Sequence, residues 1–338
     1  MKKAIITGIT GQDGGYLAKL LLDKGYKVYG AQRRNTGKRY WRLDELGIRD
    51  DIEIVDIDLT EPYNISKLLD KIQPDEFYNL AAQSFVALSF EQPQVTTLTN
   101  ANGVLNILDA IRNNHPNVKF YQASTSEMFG KVLETPQRET TRFWPRSPYG
   151  CAKAYAHHLT VNYRESYNLH LNSGILFNHE SPMRGEEFVT RKITKGLVQW
   201  LKNGKPVELG NLDSKRDWGH AEDYVEAMWL MLQQETPDDY VIATGKTHTI
   251  KDFITKCLDK LEITYFNEGD EFRDNHGNYL IKTNPKFVRP AEVDLLIGDP
   301  MKAREKLLWK PKHNLDSLID DMIQADLKRY VISNLSKH

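Results

Sequence analysis

The chain has 338 residues, 40% hydrophobic and 27% charged, an ordinary composition for a globular protein with a large core. Its 45 basic and 46 acidic residues leave a formal net charge of −1, so no basic surplus points to nucleic acid or an anionic membrane. No apolar run reaches the length of a membrane span, and the two cysteines, Cys151 and Cys257, make neither a disulfide framework nor a cysteine metal site. The short apolar start, MKKAIITGIT, lacks a small-residue cleavage site, so no signal peptide is expected and the expected address is a reducing cytoplasm.

In chain order, residues 3–7 predict a strand, and 15–24 a helix with Leu17, Leu20 and Leu21 on one face. Strands follow at 27–31 and 52–56, then a helix at 65–72 and a strand at 76–80. A helix at 103–113, a strand at 118–122, a long helix at 149–167 and a strand at 171–176 continue the alternation. Such alternation implies βαβ units and a parallel sheet covered by helices on both faces, a Rossmann-like doubly wound α/β fold. Past residue 176 the alternation weakens, with helices predicted at 188–202, 223–234, 249–261 and 301–307. The polar stretch 267–284, carrying Asp274-Asn275-His276-Gly277, predicts an exposed loop. Two parts are expected: residues 1–176 binding a nucleotide, and 177–330, a smaller α/β part, mainly covering a substrate. Segments around 215–245 are expected to return to the first. Trp200, Trp229 and Trp309 read as core or interface, and His157 and His158 as packing or surface residues. No His/Asp/Glu group has metal spacing, so no metal is expected.

Between the first strand and the first helix lies Gly8-Ile9-Thr10-Gly11-Gln12-Asp13-Gly14, spaced Gly-x-x-Gly-x-x-Gly. Glycines let the backbone turn tightly against a pyrophosphate, and the helix N-terminus offers free N–H groups. The second strand runs out in Arg33-Arg34-Asn35, where an NAD site usually carries a carboxylate. Guanidinium forks suit a 2′-phosphate, which favours NADP. Asp56 or Asp58, with Leu59, follows the third strand toward the adenine. Leu80, Ala82, Gln83 and Ser84, after the fourth, are candidates to line the cofactor ribose.

Residues 124–130 read STSEMFG at the end of a predicted strand, a run of hydroxyls and a carboxylate that makes poor core. Tyr149 and Lys153 are spaced Tyr-x-x-x-Lys on a predicted helix, so they share a face. A lysine ammonium beside the tyrosine would lower the phenol pKa and prepare it to take a hydroxyl proton. Thr125 is placed to hydrogen-bond the same substrate oxygen.

Taken together, TGITGQDG, LAAQS, STSEMFG and YGCAK resemble the extended short-chain dehydrogenase/reductase superfamily. More narrowly, QASTSEMFG, NYRESY, GILFNHESP, FVTRKI, GNLDSKRDW, DYVEAMWLMLQ and RPAEVDL resemble the GDP-mannose 4,6-dehydratase family, over about residues 3 to 328. That resemblance implies a lyase that removes water from GDP-mannose or a close GDP-sugar, with Glu127 taking the C5 proton and Ser126 assisting. It also implies that His179 and Arg184 contact the cofactor, and that Asn178, Val189, Lys192, Arg216, Arg289 and Glu292 contact the sugar nucleotide, as do Ser84, Thr125, Glu127 and Tyr149. A homo-oligomer, dimer or tetramer, is expected. A GDP-manno-heptose shares the reacting ring positions, and a reductase or epimerase of the same superfamily would need no Glu127. An idiosyncratic 270–282 segment is a candidate to tune the sugar accepted.

Overall fold

The computed structural model describes residues 1–34, 37, 40–287 and 295–335. Its centre is a seven-stranded sheet. Strands β1 (Lys3–Thr7), β2 (Lys27–Gln32), β3 (Glu53–Asp56), β4 (Glu76–Asn79), β5 (Lys119–Thr125) and β6 (Leu171–Leu176) are joined by a strand at Asp239–Ile242. The order across the sheet is Asp239–Ile242, β6, β5, β4, β1, β2, β3, and every neighbouring pair is parallel. The order reverses between β1 and β4, the point at which doubly wound sheets open a crevice for ligands.

Burial on both faces explains the near-continuous apolar strands. One face packs Ile6, Val28, Tyr78 and Tyr121 beneath the helices α1 (Gln12–Asp23) and Ala221–Gln233. The other packs Ile5, Phe77 and Phe120 beneath the helices Pro62–Ile72, Gly103–Asn114 and Pro148–Tyr167. A third cluster joins the helices Val189–Asn203, Ile250–Lys260 and Leu315–Leu335 to a small sheet.

That small sheet corrects the expectation for 267–284. Strands Tyr265–Glu268, Glu271–Asp274 and Tyr279–Thr283 pair antiparallel in turn, and the last pairs parallel with Val207–Leu209. The Asp274–Gly277 turn is real: Gly277 N donates to the Asp274 carbonyl, and the Asn278 N donates to the Asp274 carboxylate at 2.7 Å. Its flanks are strands because Phe272, Leu280 and Ile281 bury their side chains in the third cluster. The Leu315–Leu335 helix is a second feature the sequence reading did not predict. Among the described residues, no helix is long and apolar enough to cross a membrane.

Candidate active site

The strands β1, β4 and β5 finish level with one another: Thr7 is in register with Asn79, and Asn79 with Gln122. The Thr7 hydroxyl donates to Asn79 Oδ1 at 2.7 Å and accepts from the N–H groups of Leu80 and Ala81, both at 3.1 Å. It thereby fixes the turn after β4 against the glycine motif after β1. Within that motif Gly8 has φ of +71°, and a Cβ on Gly14 would lie 2.4 Å from the Gly8 carbonyl oxygen. Both positions therefore require glycine. Helix α1 starts after Gly11 without a side-chain cap, which leaves its first N–H groups to face a ligand.

At the end of β5, Thr125 is extended and its hydroxyl accepts from the Glu127 N–H at 3.3 Å, closing a short 3₁₀ turn at Ser126–Met128. Met128 and Phe129 anchor that turn in a fully buried cluster with Ile175, Phe177 and Leu296. The polar residues thus stand above an apolar base, which resolves the awkward composition of STSEMFG. Facing them, the Pro148–Tyr167 helix starts on Ser147, whose hydroxyl accepts from Gly150 N at 3.0 Å, with Pro148 in the first turn. This start places Tyr149 and Lys153, one turn apart, under the β5 turn, both buried.

Burial dominates the electrostatics of this pair. Burial pushes the Tyr149 phenol up to about 12, opposed by the Thr125 hydrogen bond and the nearby Arg184 charge, and reinforced by Glu127 and Asp13. Lys153 stands beside the same ring, its ammonium 5.9 Å from the Tyr149 ring centre, and donates to the Ala123 carbonyl at 3.0 Å. Burial also brings Lys153 down to about 8. Thr125 and Arg184 act to lower the phenol pKa, and a cation at the distance of Lys153 favours the phenolate as well.

One cavity brings together Gly8, Gly11, Gln12, Asp13, Gly14, Leu80, Ala82, Ser84, Thr125, Ser126, Glu127, Tyr149, Lys153, Asn178, His179 and Arg184. A second, adjoining cavity is lined by Val189, Lys192 and Arg216, and shares Glu127, Asn178 and Arg184 with the first. The residues common to both mark where the two cavities meet. Thr10, Arg33, Arg34, Asp58, Leu59 and Gln83 line neither cavity. Thr10 offers its carbonyl to Arg42 at 2.9 Å. Gln83 holds the loop after β4, its N–H donating to Asn100 at 2.9 Å and its amide to the Phe85 carbonyl at 2.9 Å. Asp58 accepts from Thr60 N and Oγ1, which keeps its carboxyl below the ordinary value despite partial burial; Arg33 adds to the effect. Asn35, Arg289 and Glu292 lie outside the described residues.

The sequence reading missed the aromatic walls. Phe188 lies in both cavities, with the Arg184 guanidinium stacked 3.6 Å from its ring centre and Phe85 edge-on at 6.1 Å. Phe287 closes the second cavity, with the Lys192 ammonium 3.4 Å from its ring centre. Isolated aromatics have no spacing signal, so only convergence in space reveals them. The two histidines read as packing or surface residues both touch Phe143; His157 is buried and hydrogen-bonded with Ser124 at 3.0 Å, and His158 is exposed. Ligand atoms of His220, Glu222 and His313 come within 4.8 Å of one another, a grouping the sequence reading did not see. The His220 ring is already committed there: Nδ1 accepts from Glu222 N, Nε2 faces Asp321, and the ring stacks on His313 at 4.2 Å.

The family model for GDP-mannose 4,6 dehydratase matches residues 5–322. The chain belongs to the GDP-mannose 4,6-dehydratase family. Members of that family from Drosophila melanogaster and Yersinia enterocolitica, both named GDP-mannose 4,6-dehydratase, are 51% and 48% identical; alignment covers 97% of this chain in each case and 86% and 95% of theirs. The Homo sapiens enzyme of that name is 47% identical, over 96% of this chain and 91% of its own. Among solved structures, Thermus thermophilus UDP-glucose 4-epimerase in complex with NAD has a TM-score of 0.81 at 24% identity, covering 96% of this chain and 98% of that one. Bacillus anthracis dTDP-glucose 4,6-dehydratase with NAD has a TM-score of 0.82 at 19% identity, over 98% of each chain. Both share the fold of this family.

Proposed function

We propose that the protein dehydrates GDP-mannose to the GDP-4-keto-6-deoxy sugar in nucleotide-sugar biosynthesis, with NADP as its resident cofactor. The observation that carries this reading is the convergence of Thr125, Glu127, Tyr149 and Lys153 where two cavities meet, in a chain of this family. A reductase or epimerase needs only the hydroxyl, the phenol and the ammonium; the carboxylate of Glu127 adds the capacity to remove a carbon-bound proton.

The glycine turn, the uncapped start of α1, His179 and Arg184 fit a nicotinamide dinucleotide, and Arg33 and Arg34 at the end of β2, both exposed, favour a 2′-phosphate. When bound, the cofactor supplies a hydride acceptor and donor for the sugar. Around it, Thr125 and Tyr149 hold the C4 oxygen, and Tyr149 takes its proton as C4 is oxidised to a ketone. The ketone acidifies C5–H. Glu127 removes that proton and passes it to the C6 hydroxyl, which departs as water with Ser126 hydrogen-bonding near it. C5 is then reprotonated as C6 is reduced, the proton that Tyr149 took from the C4 hydroxyl balancing the cycle. Lys192, Arg216 and, outside the described residues, Arg289 and Glu292 are assigned to the nucleotide.

In the same reading, the seven-stranded sheet is the cofactor-binding part and the third core cluster the substrate-covering part. The exposed apolar side chains of Phe90, Val95, Leu98 and Tyr155 favour a homo-oligomer, and two free cysteines without a disulfide framework favour a reducing cytoplasm. The test is Glu127→Gln assayed by mass spectrometry for loss of one water from GDP-mannose and from GDP-manno-heptose. Dehydration is expected to fall roughly 10²- to 10⁴-fold while GDP-mannose binding persists. An unchanged rate would remove Glu127 from the chemistry.

A further inference from the structure

The glycine turn is sewn to the segment after β6 by three sets of contacts. Arg42 donates to the Thr10 carbonyl at 2.9 Å and to the Met183 carbonyl at 2.7 Å. Gln12 donates to the His179 carbonyl at 3.1 Å and accepts from the Ser181 hydroxyl at 2.7 Å. Asp13 Oδ2 faces His179 Nε2 at 2.8 Å, on strand β7 (Asn178–Glu180). Only the last contact joins two titratable groups.

Its geometry specifies a charge state. The other ring nitrogen of His179, Nδ1, lies 2.8 Å from the Phe177 carbonyl oxygen. A carbonyl and a carboxylate both accept, and neutral imidazole has one N–H, so with Asp13 ionised both bonds need imidazolium. Burial pushes the Asp13 carboxyl up, but His179 holds it below its ordinary value, which favours that ion pair over a protonated carboxyl donating to neutral imidazole. The ring is held flat against Tyr224, with centres 4.5 Å apart. Asp13 and His179 both line the cofactor cavity. A bare Asp13 carboxylate there would repel a pyrophosphate, and pairing it removes that repulsion.

We propose that the Asp13–His179 ion pair is a latch: it holds the glycine turn closed against β7 and sets how long the dinucleotide stays bound. A reaction that uses and restores its cofactor within one cycle requires long retention, so the proposal rests on the reading above. His179 and Asp13 are positioning residues here. Although burial opposes charge on His179, Asp13 raises its pKa above the ordinary value. The latch is therefore present at low pH and opens as pH rises through that raised value. Arg184 faces both partners, while Lys153, Tyr149 and Tyr121 act on Asp13 from the helix and strand beside it.

The test follows release of NADPH from the holoenzyme by nucleotide fluorescence, chasing with excess NADP, from about pH 6 to 10. In the unaltered protein release should accelerate as pH rises. His179→Gln should release roughly ten- to a hundredfold faster at low pH, as expected for losing one charge-assisted hydrogen bond, and should converge with the unaltered protein at high pH, while Asp13→Asn, which removes the repelling charge with the bond, should lose the pH step. Lys153 titrates in the same range, so the pH step assigned to the latch is the part that vanishes in His179→Gln. A constant ratio at every pH would reduce the pair to simple packing and overturn the latch. A flat profile in the unaltered protein overturns it without any variant. A protein that binds neither NADPH nor NADH overturns the dinucleotide reading, and the latch with it.

Discussion

Lys153 is a buried ammonium that, among the described residues, makes one hydrogen bond, to a backbone carbonyl. Burial lowers its pKa from 10.5 to about 8, so folding disfavours its protonated form. The sign follows: the destabilisation is fully present below about pH 8, fades as pH rises toward 10.5, and is absent above it. Lys153→Met should therefore raise the melting temperature at pH 7 while abolishing turnover, and the gain should shrink as the pH of the melt rises. A variant melting below the unaltered protein at pH 7 would mean that the ammonium stabilises the fold through contacts beyond Ala123. Tyr-x-x-x-Lys was visible in the sequence because a helix places i and i+4 together. The pKa values were not, since desolvation depends on which distant segments close over the pair.

At the scale of elements, the Leu315–Leu335 helix packs Leu315, Leu318, Ile319, Met322 and Ile323 into the third cluster. Those residues follow the i, i+3, i+4, i+7, i+8 pattern, so the helix was legible and went unpredicted. It also pairs Asp326 with Arg191 of the Val189–Asn203 helix, both buried, behind the cavity wall that carries Lys192. Ile319→Ala should cost about 2–5 kcal/mol, read from chemical denaturation. A loss below about 1 kcal/mol would mean that the site repacks around the missing atoms. The small antiparallel strands were harder to see. Each has few residues, and turn chemistry at Asp274–Gly277 marks a hairpin or a loop equally well until a partner strand appears.

Across the whole molecule, the strand Asp239–Ile242 returns from beyond the Val189–Asn203 and Ala221–Gln233 helices to extend the sheet beside β6. A two-pronged ion pair ties that return: Arg164, on the Pro148–Tyr167 helix, donates to Asp239 at 2.9 and 2.8 Å. Burial pushes the Asp239 carboxyl up, but the Arg164 hydrogen bonds, with the nearby His157, outweigh it and hold it below its ordinary value of 3.8. The stabilisation is therefore fully present above that ordinary value and is lost as pH falls through the lower, folded-state one. Arg164→Ala should cost roughly 3 kcal/mol or more, because it leaves a largely buried carboxylate unpaired. Its acid-unfolding profile should flatten relative to that of the unaltered protein; parallel profiles would show that the pair does not anchor the strand.

By itself the sequence determined the chemistry that depends on local spacing: a glycine turn between strand and helix, Tyr149 and Lys153 one turn apart, and Thr125, Ser126 and Glu127 where β5 runs out. Motif spacing is set by helix and strand geometry, which few neighbouring residues suffice to specify. Only the tertiary structure decided what those residues face. It brought Phe188 and Arg184 to the junction of the two cavities, set Thr125 against the Tyr149 phenol, and paired Asp13 with His179 across 166 positions of chain. Burial and long-range charge belong to the packed molecule, because they arise from segments far apart in sequence that share no local pattern.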